Sequence, residues 1–158
     1  MNVGVFVDVQ NIYYTTRDAF GRSFDYRKFW QHLSGQDEIV VANAYAISRN
    51  DDSQKKFQSA LRHIGFEVKL KPFIQRSDGS AKGDWDVGIT IDVMESAEKL
   101  DKIVLLSGDG DFAILLQHVM SKYAVQSHVY GVEKLTAEAL INAASQFTPI
   151  NAGWLQNF

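Results

Sequence analysis

Ile103-Val104-Leu105-Leu106-Ser107-Gly108-Asp109-Gly110-Asp111-Phe112 joins a short apolar run to a turn carrying two aspartates. A run of this kind reads as a strand covered on both faces, as in a parallel sheet. Beyond the turn, Phe112, Leu115, Leu116 and Val119 return at helical spacing. In open α/β sheets the functional crevice lies just past the carboxyl ends of the strands, so both aspartates fall at that edge. Val3-Gly4-Val5-Phe6-Val7-Asp8 repeats the arrangement near the other end of the chain, with Asn11 close behind. Two strand-end carboxylate positions in one small domain suggest a divalent-metal site.

Outward from these two strands the elements alternate. A short helix is expected around Ile12–Asp18, and Asp25 is placed to cap a helix over Tyr26–Leu33 that Gly35 ends. Glu38–Ile47 reads as a second apolar strand, followed by a helix through His63 capped by Asp51, Asp52 or Ser53, with Gly65 at its end. Phe66, Val68 and Leu70 alternate with Glu67, Lys69 and Lys71, the pattern of a half-exposed strand nearer the sheet edge. Gln75–Gly83 is the most loop-like segment. Val125–Tyr130 and Phe147–Ile150 supply further strands, with helices over Asp111–Ser121 and Thr136–Ala144. Right-handed crossovers then give an α/β fold, a three-layer α/β/α sandwich around a mainly parallel sheet of five or six strands.

Trp85–Leu100 is ambiguous from periodicity alone. Val87, Ile89, Ile91 and Val93 alternate with Asp86, Gly88, Thr90 and Asp92, yet Val87, Ile91 and Met94 also share one helical face. The length of the segment favours a helix. Such a helix would be apolar nearly all round, and a deeply buried position is expected for it.

The 158 residues fit one domain, 46% hydrophobic and 22% charged, which argues against disorder. Residues 1–150 are expected to form it, and 151–158 a tail whose Trp154 and Phe158 dock on the domain or serve a partner. With no cysteine there is no disulfide framework, thiol nucleophile or cysteine-held zinc. No apolar run approaches the ~18 residues of a membrane span, and the first residues already read as strand, so no membrane association and a cytoplasmic location are expected. The formal net charge of −3 does not advertise nucleic-acid binding. Locally, Lys69, Lys71, Arg76 and Lys82 face only Asp78 between residues 69 and 83, so that segment reads as a solvated hairpin or loop or as a phosphate contact.

If the strands ending at Asp8 and Leu106 are neighbours, Asp8 and Asp109 converge. Unit charges 4 Å apart repel by ~4 kcal/mol at an effective dielectric of ~20. Several such groups need a counter-charge, and hard oxygen donors suit Mg²⁺ or Mn²⁺. Singly, each residue has a structural role open to it. Asp111 could cap the helix beginning at Phe112, Asp109 could be a turn residue between glycines, and Asp84 could cap the helix after it. Asn11 could bond its own loop or orient Asp8. Asp92 lies about 120° around a helix from Asp86, so it need not face the same ion. His32, His63, His118 and His128 form no ligand spacing.

Phe6-Val7-Asp8-Val9-Gln10-Asn11, Lys82-Gly83-Asp84-Trp85-Asp86-Val87 with Asp92, and Ser107-Gly108-Asp109-Gly110-Asp111-Phe112 occur in that order. Together they resemble the NYN domain family, specifically its LabA-like branch within the PIN-like nucleases. The resemblance implies a Rossmann-like PIN fold, one or two divalent metals held by acidic residues, and metal-dependent ribonuclease activity. It also implies a helix after the Lys-Gly motif. Carried over residue by residue, Asp8, Asp86, Asp109 and Asp111 match the acidic metal positions, Asn11 the accompanying asparagine, and Asp92 a further acidic position. Many relatives have one residue between the glycine and the first aspartate of the Lys-Gly motif. Here Asp84 and Trp85 intervene, which leaves open whether Asp84 or Asp86 reaches the ion.

The expected function is hydrolysis of RNA phosphodiester bonds with Mg²⁺ or Mn²⁺, with Lys82, Arg76, Arg17 and Arg49 on the phosphate backbone. The alternative is a non-catalytic RNA-binding adaptor. A homodimer is left open. A phospho-acceptor protein of receiver or haloacid-phosphatase type also places aspartates at strand ends. That type calls for Asp-x-Asp at Asp8, where Val9 and Gln10 follow, and the Gly108–Asp111 turn matches no phosphate-binding glycine loop.

Overall fold

The computed structural model describes residues 1–48, 51–72, 74–75, 81–82 and 84–157, and of 72, 74, 75, 81 and 82 the backbone only. The strands are β1 (Asn2–Asp8), β2 (Glu38–Ser48), β3 (Glu67–Pro72), β4 (Ile74–Gln75), β5 (Ala81–Lys82), β6 (Lys102–Leu106), β7 (Gln126–Gly131) and β8 (Gln146–Pro149). The helices are α1 (Val9–Phe20), α2 (Tyr26–Ser34), α3 (Asp52–Ile64), α4 (Asp86–Ser96), α5 (Ala113–Tyr123) and α6 (Glu138–Ala143). Six strands form one sheet in the order β3-β2-β1-β6-β7-β8, every pair parallel. β4 and β5 pair antiparallel as a separate ribbon that overlaps the Gln75–Gly83 segment expected to be a loop.

Alternation along each strand divides the core into two. Val3, Val5, Val7, Ala44, Ala46, Val104 and Leu106 face α1, α2 and α3 through Ile12, Phe29, Leu33 and Leu61. Phe6, Tyr45, Ile103, Leu105 and Val129 face α4, α5 and α6 through Ile89, Val93, Leu116, Val119 and Leu140. The result is the three-layer α/β/α sandwich, with the sheet buried on both sides. β3 is an edge strand, as its alternating pattern requires. Asp25 accepts from the Lys28 N–H at the start of α2, and Asp51 from the Ser53 N–H at the start of α3.

The chain reverses its direction of travel across the sheet between β1 and β6. These strands are neighbours, with Val7 opposite Leu106. The loops leaving their carboxyl ends therefore begin side by side, at the switch point where open α/β sheets place their crevice.

Three expectations need correction. Trp85–Leu100 is helical, but it is not buried all round. Ile89 and Val93 are fully buried, whereas Val87, Ile91 and Met94 are 69%, 50% and 39% exposed. The helix lies on the sheet as an outer layer, so one stripe meets the core and the opposite stripe meets solvent, whatever its hydropathy. The helix expected over Thr136–Ala144 covers only Glu138–Ala143, because Thr136 and Ala137 are extended, with the Ala137 N–H bonded to Gly108 in the acidic turn. Asp84 does not cap α4, which starts at Asp86 without any side-chain cap.

Residues 152–156 lie against the α2 layer. Leu155 forms a bridge with Phe24, and the Gln156 N–H donates to Ser23 O at 2.8 Å. The Trp154 ring meets those of Phe29, His32 and Tyr130 with centroids 5.6, 5.0 and 6.1 Å away. Among the described residues no helix is long and apolar enough to cross a membrane.

Candidate metal centre

Asp8 is the last residue of β1, and Ser107 follows the last residue of β6. The Ser107 hydroxyl donates to Asp8 Oδ2 at 3.0 Å, which ties the two strand ends together. Asn11, in the first turn of α1, makes a second tie. Its backbone N–H bonds the Asp8 carboxylate, and its Oδ1 accepts from the Gly108 N–H at 2.9 Å. Of the two roles considered for Asn11, orienting Asp8 is met, through its backbone N–H, whereas its side chain bonds the turn after β6 and not its own loop.

The turn after Ser107 is shaped by the side chain of its own aspartate. The Asp109 N–H donates to Ser107 Oγ at 3.1 Å, and Asp109 Oδ1 accepts from the Asp111 N–H at 2.9 Å. Asp109, not Asp111, is therefore the capping residue, and the Asp111 carboxylate has no capping bond. The flanking glycines are required by close approach. A Cβ on Gly108 would sit 2.7 Å from Leu135 O, and one on Gly110 2.8 Å from Ala137 Cβ. The Ala137 N–H donates to Gly108 O at 3.0 Å and holds the two segments together.

Asp86, in the first turn of α4, closes the site from the other side. One carboxylate oxygen from each of Asp86, Asp109 and Asp111 lies within 4.8 Å of the others. Asp8 stands beside these three. Among the described residues, no lysine or arginine is ion-paired with any of the four. The electrostatic cost shows in their ionisation. Burial, and behind it the Asp109 and Asp84 charges, push the Asp8 carboxyl up to about 6 against the bonds from Ser107 and Asn11. Burial, the Asp109 charge and a hydrogen bond shared with Asp109 push Asp86 up to about 7, with Asp84 and Asp8 adding to the shift. A partly open set of hard oxygens, with Asp8 and Asp86 held above the usual carboxylate range and no ion-paired lysine or arginine among the described residues, has the donor chemistry of a divalent-cation site.

Other residues fall elsewhere. Asp92 accepts from Lys69 Nζ and from Tyr45 Oη, each at 2.8 Å, with Asn43 Nδ2 donating to Tyr45 Oη at 3.1 Å. It is an ion-paired residue between β2, β3 and α4, outside the carboxylate cluster. Asp84 is exposed and close enough for its charge to reach Asp8 and Asp86, and its carbonyl accepts from Lys71 Nζ at 2.7 Å. Arg17 lies on α1, its Nη1 donating to Tyr13 Oη at 2.6 Å. Lys82 is described only as β5 backbone, and Arg49 and Arg76 lie outside the described residues. His128 is buried and neutral, its Nε2 2.7 Å from Thr148 Oγ1. Burial, with the Lys102 and His32 charges, lowers its pKa to about 4.

Sequence reasoning did not single out Ser107 as the partner of Asp8, or Tyr45 and Lys69 as those of Asp92. Ser107 had one available signal, its place between a buried strand and the acidic turn.

The profile of the NYN domain family matches residues 2–151. The chain belongs to the NYN domain family. It is 30% identical to the low amplitude and bright protein LabA of Synechococcus elongatus over 159 aligned positions, covering 94% of this chain and 83% of that one. This likeness sets it in the LabA-like branch. A crystal structure of a Vibrio parahaemolyticus protein of unknown function is similar throughout, with 49% identity and a TM-score of 0.93. That match covers 98% of this chain and 96% of the other. The NYN fold is of nuclease type, and the acidic cluster sits at its switch point.

Proposed function

We propose that this NYN domain is a metal-dependent ribonuclease that hydrolyses RNA phosphodiester bonds. The observation that carries the reading is the convergence of Asp86, Asp109 and Asp111 within 4.8 Å, beside Asp8, with no lysine or arginine ion-paired to them among the described residues. These four carboxylates would hold Mg²⁺ or Mn²⁺, and their hard oxygens suit either ion. A bound divalent ion supplies Lewis-acid polarisation, lowers the pKa of water and offsets charge building on the phosphodiester.

The chain's own groups set the geometry. Ser107 and Asn11 hold the Asp8 carboxylate in place. Asp109 folds the turn that presents Asp111, and α4 carries Asp86 to the same point. With the neighbouring carboxylates offset by a bound cation, Asp8 would stay ionised, so that its oxygens can orient attacking water beside the ion. Arg17 would contact the RNA backbone from α1, with Lys82, Arg76 and Arg49 assigned the same task.

The test is cleavage of labelled RNA by purified protein with Mg²⁺, with Mn²⁺ and with EDTA. Cleavage should require the ion and be abolished by Asp8→Asn combined with Asp109→Asn. Cleavage that survives both substitutions contradicts the proposal. Ion-dependent RNA binding without turnover would instead favour a non-catalytic RNA-binding adaptor.

A further inference from the structure

A cleft of about 670 Å³ opens between α1 and α3 and starts at Val9 and Gln10, the two residues after Asp8. A second hollow of about 380 Å³ shares Tyr13, Arg17 and Ser23 with it and reaches Gly21 and Arg22, so the two form one groove along α1. The volume of the first falls within the ~300–1,000 Å³ usual for small-ligand sites. Its floor is apolar, with Ile12, Phe24 and Tyr26 buried. Its rim is not. Tyr13 and Tyr14 are 41% and 55% exposed and pack edge to face, with centroids 5.3 Å apart.

The charge pattern is the informative part. The carboxylate cluster lies just beyond the start of α1, yet among the described residues none that lines either hollow is acidic. Arg17 and Arg22 stand at the outer end of the groove. Arg17 is held by the Tyr13 hydroxyl and sits 5.7 Å from that ring's centroid. The Arg22 Nε donates to Gln156 O at 2.9 Å. Gln10, Gln54 and Gln156 add carboxamides, which offer both donors and acceptors. Exposed aromatic faces, fixed guanidinium groups and amides are what a nucleotide needs, for its base plane, its phosphate and its base edge.

We infer that the α1 groove is a nucleotide-binding subsite in which a base stacks on Tyr14 or Tyr13 while Arg17 and Arg22 meet the adjoining phosphates. The assignment rests on the acidic centre acting on RNA, because the groove would then lead an unpaired strand towards Asp8. A base inside a duplex cannot offer its face to these rings, so the groove selects unpaired nucleotides. A free mononucleotide presents the same chemistry, and the experiment separates the two sources.

The test uses the full chain in EDTA, so that turnover does not interfere, with a fluorescent single-stranded oligoribonucleotide and separately AMP and UMP. Tyr14→Ala, Tyr13→Ala and Arg17→Gln should each weaken RNA binding by roughly tenfold, as loss of one stacking or phosphate contact does. Tyr14→Phe, which keeps the ring, should bind within about twofold of the wild type, and circular dichroism melts should show all variants folded. Saturable AMP or UMP binding that the variants weaken, with RNA affinity unchanged, would support the subsite with a free nucleotide as occupant. RNA and mononucleotide affinities within about twofold of the wild type in every Ala and Gln variant would overturn the assignment, and cleavage would be unaffected by that result. RNA held through these side chains but never cut with Mg²⁺ or Mn²⁺ would overturn the ribonuclease reading alone.

Discussion

Asp8 and Asp86 are held in surroundings that disfavour their charged forms. For each, burial is the leading cause and neighbouring carboxylates add to it. Asp86, pushed up to about 7 from 3.8, has a folded pKa above its unfolded value. Its contribution to stability is therefore fully present below pH ~4 and is lost as pH rises through 7. Asp86→Asn removes the charge at nearly constant shape. After discounting for solvent screening of this half-open group, the variant should be more stable than the wild type by about 1 kcal/mol at pH 8 in EDTA. Urea denaturation at pH 8 and pH 4 checks this: the gap should close at the lower pH. Adding Mn²⁺ at pH 8 should raise the stability of the wild type and leave the variant little changed. The acidic positions were legible in the sequence, because carboxylates at the ends of apolar strands have few structural reasons to recur. Their hydrogen-bond partners were not. Neither the direction of the Ser107 hydroxyl nor the choice of Asp109 over Asp111 as cap follows from residue spacing, since each depends on the turn closing under Ala137.

At the scale of elements, α4 shows what periodicity leaves open. The segment from Val87 to Met94 satisfies both a strand and a helical pattern, and length together with the family resemblance favours the helix. Neither says which stripe faces inward. The structure buries Ile89 and Val93 and exposes Val87, Ile91 and Met94. Placing Asp86 against Asp109 at the first turn fixes the rotation of the helix, so the acidic site and the buried stripe are set together. Ile91→Lys should accordingly change stability by no more than ~0.5 kcal/mol, whereas Ile89→Asp should cost more than ~3 kcal/mol or prevent folding. Chemical denaturation of the two variants is a direct test of the rotation. An equal cost for both would contradict it. The strands were more legible than this helix, because β1 and β6 carry uninterrupted apolar runs covered on both faces. The ends of the helices were less so, since α1 begins directly at Val9 and α6 is shortened by tertiary contact with the acidic turn.

Across the whole molecule, two distant parts of the chain depend on one another. The order β3-β2-β1-β6-β7-β8 brings residues 8 and 107 together from opposite halves of the sequence, so the carboxylate cluster forms only when the sheet is complete. The end of the chain returns to the α2 layer, where Trp154 meets Phe29, His32 and Tyr130 and Leu155 is 4% exposed. Truncation after Asn151 should therefore lower stability by roughly 2–4 kcal/mol, read by urea denaturation, without changing the mass measured by light scattering. Undiminished stability would contradict the packing account. The central claim is that this fold assembles its carboxylates to hold a divalent ion. Anomalous scattering from crystals soaked in Mn²⁺ tests it most directly. The account predicts a peak bounded by Asp86, Asp109 and Asp111, with oxygen ligands and Asp8 alongside, and its loss in Asp109→Asn crystals. A well-ordered, fully soaked crystal with no peak among these carboxylates would contradict it.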